Sequence, residues 1–173
     1  KQLAELLRGD LSGLKLAVLM IDGIHFEDHV VLAALGIDEG GQKHVLGLWE
    51  GATENARACK GLLEDLVGRG LVTDQALLVV LDGAKALHRA VRDVFGRHAL
   101  IQRCQEHKQR NVADQLPESM RPSVRRAMKQ AYESSDMKRA LRLLENLAAR
   151  LEREHPGAAA SLREGLAETL TVI

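Results

Sequence analysis

Val18-Leu19-Met20-Ile21 runs into Asp22-Gly23, and Leu78-Val79-Val80-Leu81 runs into Asp82-Gly83. Four consecutive apolar residues read as a buried strand, and a carboxylate at the end of one is unfavourable unless something partners it. The two aspartates lie 60 residues apart. They meet if their strands lie side by side, and two such acids make a site for divalent metal ions. Taken singly, each Asp-Gly is a common turn signal. The matched apolar approaches favour reading them together.

Working outward from the first pair, residues 3–12 suggest a short helix or lead-in and Leu16 to Glu27 an extended strand. The polar Glu27-Asp28 gives way to a second strand, His29–Ile37. Asp38-Glu39-Gly40-Gly41 is a strong hairpin turn, and Lys43 to Trp49 forms a third strand. Short loops between these strands imply an antiparallel meander. Thr53 or Asn55 can cap the next segment. Ala56, Cys59, Leu62, Leu63, Leu66 and Val67 recur at helical spacing over 55–69, which Gly70 closes.

Ala76–Leu81 is a fourth strand with no polar residue, set parallel to its neighbour by a right-handed crossover. A helix over 84–95 and a short strand over 98–103 follow. Helices are then expected near 105–116, 118–133, 135–154 and 157–170, with Pro117, Pro122 and Pro156 near their starts. The order β-β-β-α-β-α-β, then helices, is the ribonuclease H-like arrangement of the α/β class. It is a mixed five-strand sheet, with a three-strand antiparallel meander extended by parallel strands. Its first and fourth strands are central and parallel, which brings Asp22 and Asp82 to similar heights. The expected division is a partial catalytic core over 1–104 and a helical insertion over 105–173.

Composition narrows the classes. At 173 residues and 46% apolar content the chain can bury a core, which argues against disorder. Lys/Arg and Asp/Glu balance at 24 each, yet residues 1–96 hold 10 against 14 and residues 97–129 hold 8 against 3. An acidic part followed by a basic stretch suits a metal site beside a polyanion-binding surface, although solvated helices also carry such charge. No stretch approaches the ~20 apolar residues of a membrane span. Cys59 and Cys104 suggest no disulfide framework, hence a reducing, cytoplasmic setting. Starting at Lys1 and stopping inside the apolar run Leu170 to Ile173, the sequence reads as a piece of something longer.

Two close carboxylates repel unless a cation or proton is shared. Mg²⁺ or Mn²⁺ takes oxygen ligands while keeping waters and substrate phosphates, and two ions about 3.5–4 Å apart serve both the attacking and leaving oxygens at phosphorus. A third carboxylate usually completes such a site.

Several segments resemble the mutator-type transposases of bacterial insertion sequences, a branch of the DDE recombinases. They are Leu19–Phe26, Gly36–Asp38 with Gly47–Gly51 and Glu54-Asn55, Val80–Gly83, Gln102–Asn111 and Glu164–Leu170. The resemblance implies a ribonuclease H-like core with Asp22 and Asp82 as the first two catalytic acids and metal ligands. Asp22 would bridge two Mg²⁺ or Mn²⁺ ions and Asp82 would hold one. It implies DNA partners (transposon ends and target), a homo-oligomer, no membrane, and a bacterial, nucleoid-associated location. The reaction implied is phosphodiester hydrolysis at a transposon end, then strand transfer by the freed 3′-hydroxyl.

The family's third acid is a glutamate in an Asn-x-x-Glu context. Here Asn55, Asn111 and Asn146 are followed three residues on by Ala58, Asp114 and Ala149. The third acid is therefore expected outside this stretch, leaving the fragment inactive alone, and Glu164 and Glu168 read as helix-surface residues. Cys104-x-x-His107 matches a short family motif, and a spacing of three puts both on one helical face. Two readings stay open: His107 facing DNA with Cys104 packed beneath, or a half-buried Cys with a capping His. Arg103, Lys108 and Arg110 are candidates for phosphate contact, followed by Arg121, Arg125, Arg126 and Lys129. Trp49 reads as packing and not as a base-stacking platform. The rival function is a catalytically silent module for oligomerisation or DNA contact. A phosphatase ranks low, since neither aspartate has a second acid two residues on.

Overall fold

The computed structural model describes residues 7–26, 29–51 and 56–173. Thr53, Asn55 and the Glu27-Asp28 pair lie outside them. Strands β1 (Leu16–Phe26), β2 (His29–Asp38) and β3 (Lys43–Gly51) form the antiparallel meander. Helix α1 (Ala56–Gly68) leads to β4 (Leu77–Leu81), helix α2 (Lys85–Phe95) and β5 (Ala99–Arg103). The sheet order is β3-β2-β1-β4-β5, and β1 and β4 run parallel. This is the ribonuclease H-like mixed sheet expected from the order of elements.

One face of the sheet is dry. Leu19 and Ile21 on β1, Leu32 and Ala34 on β2, Leu46 on β3 and Leu77, Val79 and Leu81 on β4 alternate into a core with α1 and α2. α1 brings Cys59, Leu62, Leu63 and Leu66 to it, spaced at three and four residues as an apolar helical stripe requires. Trp49 is half-buried against this core, with its ring so close to Gly61 that an added Cβ would stand 2.7 Å from it. It packs, as expected. Asp38 holds the β2–β3 turn by accepting from the Gln42 amide at 2.9 Å, with His44 Nε2 2.8 Å from its other oxygen. The His44 bond, then the Gln42 amide, hold this carboxyl below its ordinary range.

Of the two readings of residues 3–12, helix or lead-in, the described part is a lead-in. Residues 7–15 are turns and irregular chain, because Asp10 accepts from both the amide and the hydroxyl of Ser12, and the Leu11 amide goes to the Arg69 carbonyl. Local side-chain bonds of this kind compete with helix.

The chain divides into two compact units, residues 1–101 and 102–173. The second has its own core. Helices α3 (Gln105–Asp114), α4 (Arg121–Tyr132), α5 (Met137–Leu151) and α6 (Pro156–Arg163) bury Val112, Val124, Met128, Leu144, Leu147 and Leu162 together. The helix expected over 157–170 breaks after Arg163: Gly165 takes φ +60°, and a short 3₁₀ turn spans Ala167–Leu170. A glycine in that left-handed region ends a helix readily.

Candidate active site

The two Asp-Gly pairs lead to different backbones. β4 ends at Leu81, and Gly83 (φ +109°) turns the chain toward α2. β1 instead runs straight through Asp22 and Gly23 to Phe26, with Asp22 opposite Ala33 of β2. The reading of an aspartate at the strand end therefore holds for β4, while β1 follows the extended stretch read from Leu16 to Glu27.

The parallel ladder pairs Val18 with Leu78, Leu19 with Val79, Met20 with Val80 and Ile21 with Leu81. Asp22 and Asp82 are the residues that follow the last of these pairs, Asp22 within β1 and Asp82 just past the end of β4. Adjacent strands lie about 4.8 Å apart, so equal register sets the two residues side by side where the ladder stops. The pleat decides which way they face. Leu19 and Ile21 are buried toward the helices, whereas Met20 and Ile24 are 37% and 43% exposed. Asp22 shares the parity of Met20 and Ile24 and is itself exposed. Asp82 continues the parity of Leu78 and Val80 and is half-buried. Both acids thus follow the face turned away from the dry core. Asp82 Oδ1 accepts from the Ala84 amide at 2.9 Å, so the turn after β4 orients this carboxylate.

Two aspartates at matched positions fit Mg²⁺ or Mn²⁺, which takes one or two carboxylates and fills its remaining positions with water and phosphate oxygens. Among the described residues no three His, Cys, Asp or Glu side chains come together as a metal-holding group. Asp22 and Asp82 have no third acid with them there.

The remaining candidates all lie in the second unit. Arg110 is exposed on α3. Cys104 takes the N-cap position of α3 with no side-chain cap bond, and it and His107 are half-buried with the ring Nδ1 shielded from solvent. Arg103 and Lys108 point inward. Arg103 is 7% exposed and Lys108 fully buried. Arg103 Nη1 donates to the Glu164 carbonyl at 2.9 Å, and Nη2 meets the Glu164 carboxylate at 3.2 Å. Lys108 Nζ donates to the carbonyls of Ser161 and Glu164. Burial, then the Arg103 charge, lower the Lys108 amine to about 8, while Glu164 opposes that shift. Glu164 is therefore more than a solvated helix charge: it receives both buried cations where α6 ends.

Sequence reasoning missed the members of this cluster that carry no charge. Gln102 donates to the Thr169 carbonyl at 2.9 Å and accepts from the Val172 amide at 3.2 Å, and Gln105 also reaches the Thr169 carbonyl at 2.8 Å. A signal did exist. Gln102–Asn111 and Glu164–Leu170 were both singled out as motif blocks, and the structure makes them two sides of one contact.

No helix among the described residues is long and apolar enough to cross a membrane. The family model described as "Transposase, Mutator family" matches residues 15–173. Over 163 residues the chain is 33% identical to the transposase for insertion sequence element IS6120 of Mycolicibacterium smegmatis, covering 91% of this chain and 50% of that protein. It is 33% identical over 149 residues to the transposase for IS406 of Burkholderia multivorans, covering 84% and 37%. A third relative, the transposase for IS905 of Lactococcus lactis, is 31% identical over 140 residues, covering 77% and 35%. The chain spans half or less of the length of these relatives.

Proposed function

This chain belongs to the Mutator family of transposases, and from that premise we propose that it carries two of the three acids of a metal-dependent DNA strand-cleavage and strand-transfer site, Asp22 and Asp82. The observation that carries the reading is the shared register. Ile21 pairs with Leu81, and the residue that follows each is an aspartate on the open side of the sheet. A helix-covered core holds the strands rigid, so the acids are preorganised for a charged ligand.

When bound, Mg²⁺ or Mn²⁺ supplies Lewis acidity and charge neutralisation at the reacting phosphorus. The chain's residues do the rest. Asp22 and Asp82 hold the cation by their carboxylate oxygens. The Ala84 amide fixes Asp82 through Oδ1 and leaves Oδ2 as the outer donor. Parallel strands prevent the acids from drifting apart. The third acid is supplied from outside the described residues, and the substrates are transposon ends and target DNA. The full-length protein works as a homo-oligomer in the bacterial cytoplasm.

The test is made in the full-length protein. Asp22→Ala or Asp82→Ala should abolish cleavage of a transposon-end duplex while DNA binding, read by gel shift, persists. Wild-type cleavage rates in either variant would sink the assignment. A second reading, a non-cutting module for oligomerisation or DNA contact, is favoured by the lack of a third acid beside the pair among the described residues. Mn²⁺ titration separates the two: a competent pair binds Mn²⁺, and Asp82→Asn weakens that binding.

A further inference from the structure

Helix α4 carries four cations and no carboxylate in its twelve residues, Arg121–Tyr132. Its inner side is settled by Val124, Met128 and Ala131, which are buried in the core of the second unit. Arg125, Arg126 and Lys129 are all exposed. Lys129 stands 3.8 Å from Glu133 in an exposed i,i+4 pair, a weak constraint. Neither Arg125 nor Arg126 has an ion-pair partner among the described residues. Arg121 sits at the head of the row, where its Nε donates to the Leu116 carbonyl at 3.0 Å.

Folding alone does not account for this arrangement. Positive charge in the first half of a helix is opposed by the macrodipole. α4 has no acid in its first turn and no side-chain cap at Met120. Its neighbour α5 has the usual compensation, since Asp136 accepts from the amides of Lys138 and Arg139. Arg125 and Arg126, which no acid offsets among the described residues, therefore fit an external anion better than they fit the unit's own stability.

Geometry narrows the anion to an extended one. Residues 121, 125 and 129 follow one row at about 6 Å per step, so the row is about 12 Å long. A B-form strand carries one phosphate per ~3.4 Å of axis, so the row spans three to four phosphates. Three of the four cations are arginines, whose forked guanidinium matches phosphate oxygens bidentately. No aromatic residue lies on the exposed side for base stacking, since Tyr132 is mostly buried against the core.

We propose that the exposed face of α4, centred on Arg125, Arg126 and Lys129, is a docking rail for the phosphate backbone of duplex DNA, recognised by charge and not by base sequence. The choice of DNA as the polyanion rests on the transposase reading. The rail replaces Arg103 and Lys108 as the phosphate-contacting group, because those two are committed inside the unit.

The test measures fluorescence anisotropy of a labelled 20-base-pair duplex against the whole 173-residue chain between 50 and 200 mM salt. Arg125→Gln with Arg126→Gln should weaken binding by about tenfold at 50 mM and reduce the salt slope by about 2, as loss of two phosphate contacts predicts. The matched control Arg89→Gln with Arg97→Gln removes equal charge from exposed positions of the first unit and should change affinity less than threefold. A scrambled duplex should bind as well as the original. Four results would overturn the rail: no wild-type binding at 50 mM, an unchanged slope in the α4 variant, equal losses in both variants, or tighter binding of a single-stranded RNA of equal charge. Mn²⁺ binding is read on the same samples. Its loss in Asp82→Asn is independent of α4, so failure of the rail and failure of the acid pair are distinguishable.

Discussion

The acid pair and the Arg103–Lys108–Glu164 cluster put charge to opposite uses. Asp22 and Asp82 emerge on the open face of a rigid sheet, one exposed and one half-buried. Arg103 and Lys108 are buried, and the carbonyls of Ser161 and Glu164 accept from them. Buried ions are tolerated only when paired and hydrogen-bonded, and removing one partner is costly. An exposed carboxylate such as Asp22 has a small desolvation cost on folding, so losing its charge should affect the fold less than losing a buried ion. Charge turned inward here holds the second unit together, while the acid pair lies on the sheet face away from the dry core.

The contrast can be broken most directly at Asp22. If the acids serve a cation and not the fold, Asp22→Asn in the full-length protein should lower strand cleavage by at least about a thousandfold, the scale of an essential charge-stabilising group. Its thermal midpoint should stay close to wild type in a calorimetric scan. A large loss of stability would place Asp22 with the structural charges. The reverse is expected of Lys108→Ala, which strands two carbonyls and leaves a cavity. Urea denaturation should show about 3–5 kcal/mol lost, as for breaking other buried charge contacts. Normal stability would mean the amine is dispensable.

A smaller effect tests the break after α6. Gly165→Ala puts a Cβ 2.6 Å from Arg103 Nη1 at a backbone of φ +60°, so about 1–3 kcal/mol should be lost. The smallest effect is in pH. Lys108 has its amine lowered from 10.5 to about 8, so between those values the unfolded chain binds more protons than the native one. Stability attributable to this group should therefore rise with pH across that window. The urea midpoint of wild type should accordingly rise relative to that of Lys108→Met between pH 7.5 and 9.5. A difference that stays constant would show that the amine titrates as if in water.

Much of the sheet was legible because its signals are local. Apolar extended stretches placed β1 to β3, the Asp38–Gly41 turn fixed the hairpin, and the unbroken apolar run to Leu81 marked β4, though it suggests burial on both faces where Leu78 and Val80 are only half-buried. The β1–β4 adjacency followed from chain order and crossover handedness. Elements that depend on distant partners were not legible. Nothing near Arg163 announces a helix end except Gly165, and the Glu164 carbonyl beside it accepts from Arg103, 61 residues away. The same distance hid the burial of Arg103 and Lys108, which in sequence belong to a basic run like any other. At the candidate site the sequence supplied the residues and the structure supplied their register. The unequal lengths of β1 and β4 were already in the two ranges read from the sequence, Leu16 to Glu27 and Ala76–Leu81.

That unequal length has a consequence for handling the protein. Beyond Asp22, the backbone from Gly23 to Phe26 is hydrogen-bonded to β2 on one side, and among the described residues no strand takes up the other. An extended stub of this sort recruits any foreign strand of suitable shape. Preparations of these 173 residues should therefore self-associate through this rim as concentration rises, and a lysine or proline placed at Ile24 should keep them dispersed.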